Sequence, residues 1–140
     1  MTQSDYILDA GEIIKVDEGF SGIPYKCPAG YLTIGYGRNL DANPLTPSEA
    51  EILMYNDIEK IDSELKKRLP YFAQLTPARK VVLISMAFQL GLNGLLGFRK
   101  TLAYLAIGSF EHASKEMLNS RWANQTPKRA RRLAEMMRRG

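Results

Sequence analysis

The run from Thr46 to Leu69 constrains the fold more than any other feature of the chain. Thr46-Pro47-Ser48-Glu49 is a capping box, with proline at the first helical position, where its missing N–H costs nothing. Behind it Ala50, Leu53, Met54, Ile58, Ile61, Leu65 and Leu69 recur at three- and four-residue spacing, one stripe of an amphipathic helix. Pro70 stops it. The spacing predicts a helix of about 22 residues, ~33 Å long, enough to span a small domain. A chain of 140 residues is one domain's worth, and it can bury roughly 70% of the surface its unfolded form exposes.

Two further Thr-Pro pairs, Thr76-Pro77 and Thr126-Pro127, repeat the signal, a capping hydroxyl before a proline. Ala78–Leu90 is apolar around most of its circumference and belongs in the middle of a helical core. Gly91, Gly94 and Gly97 break the pattern, Phe98–Ile107 and Phe110–Trp122 resume it, and a last helix follows Thr126. At the start, Tyr6–Glu18 reads as a helix with Ile7, Ile13 and Ile14 on its apolar side and Gly19 as its cap. Ile23–Lys26 and Tyr31–Ile34 flank Cys27-Pro28-Ala29-Gly30, a type I turn pattern, and predict a β-hairpin. One hairpin must lean on helices. The predicted class is therefore α+β and mostly helical: a hairpin lobe over about 20–45, a linking helix over about 46–69, and a helical lobe over about 70–140 that also takes the N-terminal helix.

Composition narrows the chemistry. Cys27 is the only cysteine and His112 the only histidine, which excludes an internal disulfide framework, a multi-thiolate zinc site and paired-histidine metal motifs. No metal or organic cofactor is expected. The N-terminal residues are polar and acidic, without the apolar core and cleavage site of a signal peptide, so synthesis and folding in a cytoplasm are expected. Charge is divided sharply. Residues 1–65 hold 4 basic and 12 acidic side chains, net −8, and residues 66–140 hold 15 and 3, net +12. The basic half invites a polyanion: nucleic acid, anionic lipid or an acidic wall polymer.

Glu18 closes a helix where carbonyls are unsatisfied and the macrodipole is negative, beside Asp17. Both favour its neutral form, the direction a general acid needs, though an acidic pair at a frayed helix end is more often just solvated. Cys27, in the hairpin turn, needs local activation before it can serve as base or nucleophile; packing is the plainer reading of a lone cysteine. Thr33 is ordinary for a strand. Trp122 lies in Ser120-Arg121-Trp122-Ala123-Asn124-Gln125, a core tryptophan or an aromatic and amide contact. The segment 128–139 carries six cations against one anion, a solvated face, a nucleic-acid contact or a surface for anionic lipid. Gly35-Tyr36-Gly37 lacks the third glycine and the following helix of a phosphate loop.

In their order these features resemble the phage-type lysozymes over nearly the whole chain. The resemblance rests on Val16-Asp17-Glu18-Gly19-Phe20, Tyr25-Lys26-Cys27 and Gly30–Gly37. Further along it rests on Ala87-Phe88-Gln89-Leu90-Gly91, Gly97-Phe98, and Ser120–Pro127 with Arg129. The catalytic pattern of that family is a glutamate, eight residues, an aspartate or in some members a cysteine, five residues, then a threonine. Glu18, Cys27 and Thr33 satisfy both gaps. The resemblance implies cleavage of the β-1,4 bond between N-acetylmuramic acid and N-acetylglucosamine in peptidoglycan, in a cleft between the two lobes. It implies substrate contacts at Phe88, Gln89, Thr101 and Glu116, Thr101 and Glu116 differing in type from the family pattern, and Arg129 as a supporting residue that reaches Glu18. Cys27 stands where many relatives have a carboxylate. A thiolate there would attack directly with retention, or polarise a water with inversion, whereas a neutral thiol would only leave space. The segment between Gly37 and Thr46 is shorter than in the T-even phage enzyme, so a more open cleft is expected.

The expected role is that of an endolysin, a monomeric muramidase held in the host cytoplasm until a holin opens the inner membrane and the wall is reached. The last helix, on its six cations, is a candidate contact for the anionic outer membrane. Two other readings compete: a non-hydrolytic lytic transglycosylase, which needs no second carboxylate, and a basic helical nucleic-acid-binding protein, which leaves Glu18, Cys27 and Thr33 unemployed.

Overall fold

In a computed structural model that describes residues 2–140, the first helix, α1 (Gln3–Glu18), starts three residues before its apolar pattern does. Thr2 and Asp5 explain the difference. They form a capping box in which the Thr2 N–H donates to Asp5 Oδ2 at 3.0 Å and the Asp5 N–H donates to Thr2 Oγ1 at 3.4 Å. Gly19 ends the helix at φ 68°, its N–H reaching the Lys15 carbonyl at 3.0 Å. Ile7, Ile13 and Ile14, expected on an apolar side, are exposed.

The expected hairpin is present with a third strand added. Strands β1 (Ser21–Lys26), β2 (Leu32–Gly35) and β3 (Arg38–Asn39) form an antiparallel sheet in that order. The turn between β1 and β2 is closed by the Gly30 N–H on the Cys27 carbonyl at 2.8 Å, with Gly30 at φ 87°. Tyr25 opposes Thr33 and Lys26 opposes Leu32, whereas Ser21 opposes Gly35, so β1 carries extra residues between Ser21 and Tyr25. Pro24 lies in that bulge, where a strand tolerates its missing donor. β3 was not legible because two residues carry no periodicity. Arg38 holds it: the guanidinium donates to the Asn43 and Pro44 carbonyls and forks onto both Glu49 carboxylate oxygens.

These elements make one compact unit that ends at Glu51, and Ile52–Gly140 make a second. Helix α2 (Pro47–Arg68) has the predicted length of 22 residues and the predicted capping box, with the Glu49 N–H on Thr46 Oγ1 at 3.2 Å and the Thr46 N–H on Glu49 Oε1 at 3.0 Å. Only its C-terminal stripe is in the core, Leu65 being fully buried while Leu53 is exposed.

The second unit continues with a 3₁₀ turn (Phe72–Gln74), α3 (Pro77–Leu90), α4 (Leu92–Leu96), α5 (Arg99–Ala106), α6 (Phe110–Leu118), α7 (Arg121–Gln125) and α8 (Pro127–Arg139). As predicted, α3 is central: Val82, Leu83, Met86 and Ala87 are buried, although Val81 and Phe88 are exposed. The glycine-broken segment is not a loop. Gly91, at φ 78°, ends α3 and starts α4. Phe110–Trp122 divides in two because the Ser120 hydroxyl caps α7, accepting from the Ala123 N–H at 3.1 Å. Ala130, Leu133, Ala134 and Met137 form the buried stripe of α8, and α6 meets it with Ala113 and Met117. Small residues on both sides let these two backbones approach. Thr126 departs from the expected cap: its hydroxyl donates to the Trp122 carbonyl at 3.0 Å and does not cap α8. Eight α-helices and one small antiparallel sheet among the described residues make the class α+β and mostly helical, as expected.

Candidate active site

Glu18, Cys27 and Thr33 all belong to the first unit. Glu18 is the last residue of α1 and is exposed. Its carboxyl rests on the backbone of Gly37: a Cβ built there would lie 2.6 Å from Glu18 Oε2 and 2.8 Å from Cδ. Gly37 lies in the turn between β2 and β3, where Ile34 pairs with Arg38. Gly37 has φ 77°, a left-handed conformation, so steric room and backbone angle both call for glycine.

Cys27 and Thr33 meet at the closed end of the hairpin. The Cys27 thiol is half-buried and its pKa is lowered below the ordinary thiol value. The main cause is the Tyr31 backbone N–H; the Ala29 and Gly30 N–H groups and the Thr33 hydroxyl add to it against the opposing effect of desolvation. Thr33 is buried at 3% exposure and its Oγ1 donates to the Tyr31 carbonyl at 2.9 Å, an oxygen that also accepts the Cys27 N–H at 2.9 Å. The hydroxyl has one proton, so it serves either the Tyr31 carbonyl or the sulfur at any moment. The Tyr31 carbonyl therefore joins the Thr33 side chain to the Cys27 backbone.

The other candidate residues lie in the second unit. Thr101 and Glu116 share a groove of about 820 Å³ with Phe98, Asn119, Trp122 and Gln125. Thr101 is in its floor at 2% exposure, and Glu116 is half-buried. Gln89 is held by Trp122, whose Nε1–H donates to the Gln89 Oε1 at 2.9 Å, which leaves the amide NH₂ of Gln89 for a ligand. Trp122 is 4% exposed with Phe98 edge-on at 5.9 Å, so it is a core residue with a polar tether, the plainer of its two readings. Phe88 is exposed on α3 outside that groove. Arg129 donates to Ser85 Oγ at 3.2 Å.

Gly37 and Tyr31 contribute through backbone, and neither has a signal of its own in residue type. The spacing motif containing Gly35-Tyr36-Gly37 was the one available pointer to Gly37.

The chain is similar to known proteins over most of its length. The sequence model described as phage lysozyme matches residues 15–139. The probable T4-type lysozyme 1 of Dictyostelium discoideum is 29% identical, covering 92% of this chain and 93% of its own. The probable T4-type lysozyme 2 of the same organism is 28% identical with the same coverage. The pre-baseplate central spike protein Gp5 of Enterobacteria phage T4 is 27% identical over 90% of this chain but only 27% of its own length.

Proposed function

The chain belongs to the phage lysozyme family, whose lysozyme-type cleavage of peptidoglycan is the premise from which we propose a specific reaction: hydrolysis of the β-1,4 bond between N-acetylmuramic acid and N-acetylglucosamine. Glu18 is the general acid, giving its proton to the departing glycosidic oxygen as the bond to the anomeric carbon breaks. Cys27 works on the opposite side of the sugar as the thiolate. It either bonds to the anomeric carbon, a C–S bond that water then displaces after giving its proton to the Glu18 carboxylate, with retention, or it takes a proton from the water that attacks that carbon, with inversion. Thr33 supplies the hydroxyl that follows the charge: it turns from the Tyr31 carbonyl to the sulfur when the thiol ionises.

The observation that carries this reading is the hairpin end, where the half-buried Cys27 and the buried Thr33 hydroxyl meet at the Tyr31 carbonyl, which accepts both the Cys27 N–H and the Thr33 O–H, and where the Tyr31 backbone N–H above all favours the thiolate. A packing cysteine needs no such surroundings. Clearing of purified walls by Glu18→Gln, Cys27→Ser and Cys27→Asp tests it. Glu18→Gln should abolish clearing while keeping the melting temperature, Cys27→Ser should lose most activity, and Cys27→Asp should retain part. Full activity in Cys27→Ser would remove the thiol from the mechanism. Mass spectrometry of released muropeptides should give reducing ends; anhydro-muramic ends would make the enzyme a lytic transglycosylase.

The biological role that follows is that of an endolysin, stored in the host cytoplasm and admitted to the wall by a holin. Expression inside a bacterium should be harmless until the inner membrane is permeabilised, and lysis without permeabilisation would refute the storage step.

A further inference from the structure

Two exposed aromatic rings stand beside Glu18 without a structural task that accounts for them. Phe20 is 70% exposed and Tyr36 is 47% exposed, and their ring centroids are 5.4 Å apart at 49°. The Phe20 ring edge approaches Gly22, where a Cβ would lie 3.5 Å from its Cζ. Tyr36 lies in the turn between Gly35 and Gly37, both at positive φ, and Lys15 Nζ lies over its ring at 5.9 Å from the centroid. Gly37 is the residue that receives the Glu18 carboxyl. Phe20, Tyr36, Gly37 and Glu18 thus form one continuous surface. Aromatic rings that already touch each other at solvent offer a flat apolar partner a large contact area, and an aromatic side chain has few rotatable bonds to restrict. A pyranose presents such a partner in its axial C–H face, and the glycan that Glu18 would protonate is a chain of pyranoses.

We propose that Phe20 and Tyr36 form a stacking platform that holds a sugar ring of the glycan strand next to the bond Glu18 protonates. The platform rests on the reading of Glu18 as the acid. It is a binding element, with no part in proton transfer.

The probe is a tetrasaccharide of two N-acetylglucosamine–N-acetylmuramic acid repeats with stem peptides removed, titrated calorimetrically into Glu18→Gln protein. Phe20→Leu or Tyr36→Leu in that background keeps apolar bulk and removes the ring, and each should weaken binding about tenfold. Phe20→Trp should restore it. The melting temperatures should stay together, because the substituted side chains are exposed. With Glu18 intact, Phe20→Leu should raise KM for walls and leave kcat close to the parent value. Equal affinity of the parent and both Leu variants, or no binding by the Glu18→Gln protein, would overturn the platform. Wall clearing by Glu18→Gln would instead overturn the acid assignment, so the two failures are read separately.

Discussion

At Gly37 a hydrogen in place of a methyl group determines whether the Glu18 carboxyl can occupy its position. The added Cβ of Gly37→Ala would fall 2.6 Å from Glu18 Oε2, and the carboxyl would have to move. Displacing a reacting group by about an ångström costs roughly a hundredfold in rate, so clearing should fall by about that factor. The φ of 77° adds backbone strain of roughly 1–2 kcal/mol. Gly108→Ala isolates that strain: φ is 73° there and nothing lies within 4 Å of the new atom. It should lose similar stability and keep its activity. At Cys27, alkylation by iodoacetamide should rise with pH through a midpoint below that of free cysteine, because the backbone N–H of Tyr31 above all favours the thiolate. Thr33→Val keeps the side-chain shape, removes the hydroxyl and should move that midpoint upward. Glu18, Cys27 and Thr33 were legible as spaced residue types. What activates the thiol was not, because peptide N–H groups look the same in every sequence until a turn aims them.

Among the elements, the capping box and stripe of α2 and the apolar run of α3 are local patterns, and the structure keeps both. Features set by partners distant in sequence were invisible. The Arg38 guanidinium folds the short segment after β3 back onto the first turn of α2, and Arg79 closes α8 by donating to the Met137 carbonyl at 2.8 Å and the Arg138 carbonyl at 3.1 Å, with its charge over the Phe110 ring. The third Thr-Pro pair marks the start of α8 as predicted, but its hydroxyl goes to the Trp122 carbonyl four residues back and does not cap the helix. Glu49 shows what the Arg38 fold-back implies for acid. Its pKa is held at about 2, first by the Thr46 N–H and then by Arg38, against an ordinary 4.5. A carboxylate depressed in the folded state contributes stability that is fully present above its unfolded pKa and disappears as pH falls through the folded one. The melting temperature should therefore drop between pH 4.5 and about 2, and Glu49→Gln should flatten the drop without erasing it, because Glu135 is held at about 2 as well. In the core, Leu83 is fully buried, and Leu83→Ala should cost about 2–5 kcal/mol in denaturant unfolding.

For the molecule as a whole, the charge division decides how it meets its polymer. Residues 66–140 carry a net charge of +12, and the attraction of such a charge to an anionic polymer shortens with salt as the Debye length falls from about 30 Å at 0.01 M to about 10 Å at 0.1 M. Wall clearing should weaken over that range. The cations that act outward are not all of those in α8. Arg138 and Arg139 both bond to Glu135, whereas Lys128, Arg131 and Arg132 are exposed and make no ion pair among the described residues. The apolar face of α8 is committed to its own core through Ala130, Leu133, Ala134 and Met137. Insertion into lipid would require that core to open, so contact with an anionic surface should be electrostatic and reversible. Reversing Lys128, Arg131 and Arg132 together to glutamate should lower binding to anionic vesicles and flatten the salt dependence of clearing, with no change toward neutral vesicles. The unaltered protein should bind anionic vesicles without releasing an entrapped dye. Dye release that persists at high salt would mean that α8 leaves its core and enters the bilayer.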